Sequence, residues 1–370
     1  MKISSVRYVD IQSQFKGNEP LLRVMRDVIE SGNFILGPEV EKLEKNFAAL
    51  CGTKYAVGVA SGTDALYLSL MAGGVKPGDE VLTAPNSFLA TAGAIAVCGA
   101  IPRFVDVDGQ YNIDTGKLSA AISKKTKAII PVHLTGNPAA MDEINVFAEK
   151  HGLLVVEDSC QAVAASYRGR RTGSLGHLAA FSLHPLKNLN TCGDGGIITT
   201  DNEEYYQKLL LMRNHGLKNR NESVFFTYNA RLDALKAAVA NFQIPSIDSV
   251  SQKRIAFAAQ YDSGLSDLQD HITIPPRLPH VRQVFHTYVI QAERRNELID
   301  YLNANGIETK IHYPVPIHLM EASAVYGYKK GDFPVCESQS GKIISLPIQH
   351  LLTSDHIAYV IEKIHAFYRG

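Results

Sequence analysis

The chain has 370 residues, room for two domains or for one large and one small at about 150 residues each. Its 37 Lys and Arg balance 37 Asp and Glu, so no basic excess favours a nucleic-acid partner. Apolar residues at 45% and charged residues at 20% describe a globular chain with a substantial core rather than a disordered one.

The amino-terminal segment MKISSVRYVDIQSQFK mixes charged and apolar residues, which predicts no secretory signal and a cytoplasmic protein. Leu21, Leu22, Met25, Val28 and Ile29 share one helical face, and Gly32 ends that pattern. A second helix opens at Pro38 and carries Val40, Leu43, Phe47 and Leu50 at spacings of three and four. From Tyr55 the pattern changes. YAVGV, EVLTA, PRFVDV, KAIIPV and LLVVE read as strands, with FLATAGAIAVCG, TGKLSAAISKK and MDEINVFAEKHG as helices between them. Apolar strands alternating with helices predict an α/β fold with a mainly parallel sheet covered on both faces. The mostly apolar run Ala90 to Ile101 is too short to span a bilayer.

Regularity falls after about residue 230. RLDALKAAVANFQ reads as a helix that Pro245 interrupts, HTYVIQ as a strand, RNELIDYLNANG as a helix and IETKIHYP as a strand. Ser354 and Asp355 open a last helix with Ile357, Val360, Ile361, Ile364 and Phe367 on one face. The pattern divides the chain near Pro245 into a large domain, residues 1–245, and a smaller C-terminal α/β domain, residues 246–370. Cys51, Cys98, Cys160, Cys192 and Cys336 are scattered without a CxxC spacing, which predicts neither a disulfide framework nor a zinc site. The His312 to His318 stretch, extended around Pro314 and Pro316, offers no helical HxxxH face, so no metal is expected.

In open parallel sheets ligands bind beyond the carboxyl ends of the strands. After YAVGV come Ala60, Ser61, Gly62 and Thr63 and then a helix, which is either a phosphate site or an ordinary Ser/Thr cap. LLVVE runs into Asp158, either a ligand-facing carboxylate or another cap. LAAFS is followed by a Pro-containing loop with Lys187, then by a Gly-rich turn and the strand GGIITT. No GxGxxG or GxxxxGK motif supports a nicotinamide or P-loop site. A helix terminus, a strand-end carboxylate and a loop lysine together suit pyridoxal 5'-phosphate, whose phosphate, pyridine nitrogen and aldehyde need those three partners.

Ten segments in order then carry a resemblance: NFILGPEVEKLEKNFA, VASGTDALYLSL, PNSFLATAGAI, FVDVD, VEDSCQA, TGSLGHLAAFSLHPLKNLNTCGDGG, YNARLDALKAA, HTYVIQ, GIETKIHYPVPIH and SLPIQ. Over nearly its whole length the chain resembles the DegT/DnrJ/EryC1/StrS family of pyridoxal-phosphate-dependent sugar aminotransferases, which have the type I aminotransferase fold. The resemblance implies Lys187 as the lysine bonded to the cofactor, Asp158 as partner of the pyridine nitrogen and Gln161 as a contact of the ring or its hydroxyl. It implies Gly62, Thr63 and Ser182 at the phosphate, Phe88 stacked on the ring, and Asn229 reaching the phosphate from the neighbouring subunit of a homodimer with shared sites. His184 is expected near the cofactor, and the loop bearing Tyr313 and His318 near the sugar, with a structural role for His318 left open. The activity implied is transfer of an amino group from L-glutamate to a keto sugar, most often nucleotide-linked, for surface polysaccharide or amino-sugar biosynthesis. Dehydratases of the same family have a histidine where Lys187 stands, which argues against that alternative; a regulator that binds the cofactor as a ligand is a more distant one. Three positions depart from the family pattern: Thr135 for a frequent Tyr, His177 for a frequent acid, and GDGG for GEGG.

Overall fold

Strands form where β-branched and small apolar residues run together, and in this chain seven such runs make one sheet. The computed structural model describes residues 3–369; Met1, Lys2 and Gly370, the outermost residues of the two expected domains, lie outside the described residues. The spatial order is Tyr55–Val59, Gly196–Thr200, Leu178–Ser182, Leu154–Asp158, Thr126–Ile130, Glu80–Thr83, Ile101–Phe104. Gly196–Thr200 runs against both of its neighbours, and all other pairings are parallel. Six strands therefore end at the same edge, which gathers their following loops there. Neighbouring residues point to opposite layers: Val156, Ala180 and Ile198 pack with Leu66, Leu70 and Ile95, whereas Val155 joins Ile129 and Ile144. Burial on both faces is why these strands read as continuous apolar runs.

A second, smaller sheet, Ile272–Thr273, Tyr288–Ala292 and Ile343–Leu346, is antiparallel. The helices Ile247–Gly264, Arg295–Ala304 and Ser354–Arg369 cover it around Tyr261, Tyr288, Leu298, Ile344, Ile357 and Ile364. Val6 joins this core: its N–H donates to Gly306 O (2.8 Å), and its carbonyl accepts from Glu308 N–H (3.0 Å). Among the described residues no helix is long and apolar enough to cross a membrane.

The structure corrects several sequence expectations. Pro245 interrupts the helix Ala234–Gln243 as expected, in the short 3-10 turn Ile244–Ser246, but that turn leads directly into an unexpected 18-residue helix, Ile247–Gly264. That helix escaped notice because its buried face includes Ser251 and Arg254 among Ile247, Phe257 and Tyr261, which breaks the apolar stripe. IETKIHYP is paired only at isolated bridges, Val6 with Ile307 and Lys310 with Ser345. TGKLSAAISKK forms a 3-10 turn and only four helical residues, Leu118–Ala121.

Candidate active site

Ser61 caps the helix Gly62–Ala72, accepting from Asp64 N–H at 3.0 Å and donating to Asp64 Oδ2 at 2.8 Å. The first N–H groups of that helix lack intrahelical acceptors and carry the positive end of its dipole. Glycine is required there by close approach. A Cβ on Gly62 would lie 2.7 Å from Ser182 Cβ and 3.0 Å from Cys160 Sγ. One on Gly196 would lie 2.1 Å from Ser61 O. The helix start is thus pressed onto the ends of two strands, with Ser182 beside it and the Thr63 side chain exposed.

Asp158 ends its strand and is 5% exposed. Thr91 Oγ1 donates to its Oδ2 at 2.7 Å, Cys160 N–H donates to its Oδ1 at 3.2 Å, and Ser87 Oγ meets Thr91 Oγ1 at 2.7 Å. Two donors fix both carboxylate oxygens, which a helix cap alone would not do. Lys187 follows on the loop between antiparallel strands, its N–H donating to His184 O at 2.8 Å. Burial pushes the Lys187 amine below the ordinary lysine range, and the Asp158 carboxylate partly opposes that shift. Its amine thus keeps a larger neutral fraction than a solvated lysine, as a nucleophile needs.

Gln161 is held at both ends: Oε1 accepts from Thr135 N–H (2.8 Å), and Nε2 donates to Tyr313 OH (3.3 Å). The Tyr313 ring centroid is 5.7 Å from that of half-exposed Phe88. His184 Nδ1 accepts from Leu186 N–H at 3.2 Å, and burial lowers its pKa. Thr135 is buried, with its hydroxyl accepting from Gln283 Nε2 at 3.0 Å; it acts here through Gln161.

Asn229 is exposed, and its Oδ1 accepts from Arg231 N–H (3.2 Å) and Arg231 Nε (2.9 Å). Its flanks are fastened to this chain's own helix start, through Ala60 N–H to Ala230 O (2.9 Å) and Tyr228 OH to Asp64 Oδ1 (2.7 Å). His318 is not brought into the cluster. Its ring is fully buried, meets Glu337 Oε1 at 3.0 Å and packs edge-on against Phe333. His177 lies at the opposite edge of the sheet, where Nδ1 accepts from Val155 N–H at 3.0 Å. It borders a depression of about 860 Å³ that Lys76, Lys127 and Glu149 also line; the converging polar groups, not volume, mark the site. Thr91 is the residue that sequence reasoning missed: it stands inside PNSFLATAGAI, but only the fold aims it at Asp158.

These residues fit pyridoxal phosphate. The Cβ-excluding cradle of Gly62 and Ser182 would hold the phosphate, fixed Asp158 would face the ring nitrogen, Gln161 the ring hydroxyl, Phe88 the ring face and Lys187 the aldehyde. Fold and site define an aminotransferase of the pyridoxal-phosphate-dependent type. The family model for the DegT/DnrJ/EryC1/StrS aminotransferases matches residues 16–365, and the chain belongs to that family. It is 41% identical to a pleiotropic regulatory protein of Geobacillus stearothermophilus, over 99% of each chain. It is likewise 41% identical to dTDP-3-amino-3,4,6-trideoxy-alpha-D-glucose transaminase of Streptomyces venezuelae, over 91% of this chain and 89% of the other. Among solved structures, S. venezuelae DesV superposes with a TM-score of 0.97 at 38% identity, covering 100% of both chains. NtdA of Bacillus subtilis with bound pyridoxamine phosphate gives a TM-score of 0.90 at 30% identity, covering 98% of this chain and 86% of that one.

Proposed function

We propose that the protein moves an amino group from L-glutamate to a keto sugar, a nucleotide-diphosphate-linked keto-deoxy hexose, in surface polysaccharide or amino-sugar biosynthesis. The observation that carries this is the buried Asp158, held by Thr91 and the Cys160 N–H at the carboxyl edge of the sheet, with Lys187 on the loop within its electrostatic reach. The S. venezuelae relative, named for a dTDP-linked sugar, supports the acceptor class. Pyridoxal phosphate, when bound, supplies a carbonyl carbon for amines and a sink for the electrons of the donor's Cα–H bond. Asp158, held by Thr91 and the Cys160 N–H, keeps a proton on the ring nitrogen. Lys187 Nζ takes the proton from the donor Cα and redelivers it. Gln161 and Phe88 would hold the ring in place against Lys187 for that transfer. Asn229 serves the phosphate of a partner subunit, and each site is complete only in a homodimer.

The test is formation of 2-oxoglutarate from L-glutamate with a panel of keto sugars, nucleotide-linked and free. The expected result is turnover with one or a few nucleotide-linked acceptors; turnover confined to free keto sugars would overturn the acceptor class. The name of the Geobacillus relative favours a second reading, a regulator that binds pyridoxal phosphate as a ligand. Cofactor binding without transfer from any donor would support it.

A further inference from the structure

Beside Lys187, on the side of the small sheet, lies a cavity of about 60 Å³ walled by Tyr8, Arg254, His286, Thr287 and His350. Each of these five side chains has a buried polar atom without a well-formed hydrogen bond in the protein: Arg254 Nε, His286 Nδ1, Thr287 Oγ1, His350 Nδ1 and Tyr8 Oη, which has the Ser345 hydroxyl nearby. Buried polar atoms are nearly always paired, so five around one small cavity point to a ligand group. Arg254 is 6% exposed and Thr287 2%. Arg254 Nη1 donates to Phe285 O (3.0 Å) and His286 O (3.3 Å), which aims the guanidinium without neutralising it. Burial lowers its pKa to about 10, still well above neutrality. The one acid in the wall, Asp10, is occupied by Ser13, whose N–H donates at 3.1 Å and whose hydroxyl donates at 2.8 Å.

A charged guanidinium, two hydroxyls and three imidazoles around one space select an anion. One water needs about 10–15 Å³ of such space, so the cavity has room for a small group such as a carboxylate. The phosphate cradle at Gly62 and Ser182 is separate from these walls. Tyr8 is set in place by its N–H, which donates to Glu308 Oε2 at 3.0 Å, and by its ring, which stacks at 5.8 Å on His312, another residue of the cavity wall. We propose that this cavity is the socket for a carboxylate of the amino donor, with Arg254 as its counter-cation and Tyr8 and Thr287 as hydroxyl donors. The inference rests on the transamination proposed above.

The test is calorimetric titration of the cofactor-loaded protein with glutarate, a dicarboxylate that has no amine to react, compared with its diamide. Glutarate should bind and the diamide should not. Tyr8→Phe and Thr287→Val, each losing one hydroxyl, should weaken glutarate about three- to tenfold. Arg254→Gln should weaken it about a hundredfold or more. Circular dichroism and thermal midpoints identify variants that are folded; Tyr8→Phe and Thr287→Val are near-isosteric and keep the test valid if Arg254→Gln unfolds. Unchanged glutarate affinity in folded Tyr8→Phe and Thr287→Val would overturn the socket, as would equal binding of the diamide. The two readings fail separately. A parent that binds glutarate through these residues but transfers no amine sinks the transamination alone. A parent that turns over glutamate with the same KM in all three variants sinks the socket alone.

Discussion

Asp158 shows how much a residue's role depends on what the fold sets beside it. A carboxylate at a strand end is legible in the sequence as a ligand partner or a helix cap, and nothing in the chain order separates the two. Thr91 and the Cys160 N–H separate them by fixing one oxygen each. Asp158→Asn is expected to retain pyridoxal phosphate yet slow amino transfer by orders of magnitude, because an amide does not hold a proton on the ring nitrogen. Single-turnover kinetics with cofactor-loaded protein check this, and parent-like rates would reduce Asp158 to a cap. Lys187 stood out in the sequence by its loop after a strand and its spacing from Asp158, whereas Gln161 came only with the family resemblance. Thr91, Arg254 and Tyr8 were not legible, because the residues they stand beside are far away in the chain.

At the scale of elements, the helix start at Gly62 sits against two strand ends, and the clash sets the sign of a substitution there. Alanine gains up to about 1 kcal/mol of helix propensity over glycine, while overpacking of this kind costs about 1–3 kcal/mol. Gly62→Ala should therefore lower the urea midpoint and weaken pyridoxal phosphate binding together; a more stable variant with parent-like affinity would show that the helix moves freely. The seven strands of the large sheet were readable because both faces are buried, whereas the helix Ile247–Gly264 was not, since Arg254 and Ser251 stand on its inner face. Around Arg254 the imidazoles of His312 and His350 are pushed by burial, and by nearby Lys and Arg charges, to pKa values of about 4. An unfolded histidine titrates near 6.5. Between those values the unfolded chain takes up protons that the folded one refuses, so stability should fall as pH drops from about 6.5 to about 4 and these groups should add no further loss below that. Urea midpoints across that range, compared with His350→Asn, check the sign; a midpoint that rises with acidification in the parent but not in His350→Asn would contradict it.

For the whole molecule, what the sequence could not disclose is which distant parts close on one another. Val6 packs into the core of the small domain, and Tyr8 walls a cavity that Arg254, His286, Thr287 and His350 share with the Lys187 loop. If Asn229 serves a partner's phosphate, Lys187→Ala and Asn229→Asp proteins are each inactive, but a mixed dimer has one site with both defects and one with neither. Subunit exchange should then restore activity, approaching one working site per mixed dimer; no recovery after proven exchange would assign Asn229 to its own subunit. The central claim, that Lys187 carries amino transfer to a keto sugar, is tested most directly with nitrogen-15 glutamate and mass analysis of the sugar. The parent should place the label on the sugar and Lys187→Ala should do so slower by orders of magnitude. A sugar that loses water without gaining nitrogen, or a Lys187→Ala protein that labels it at the parent's rate, would contradict the account.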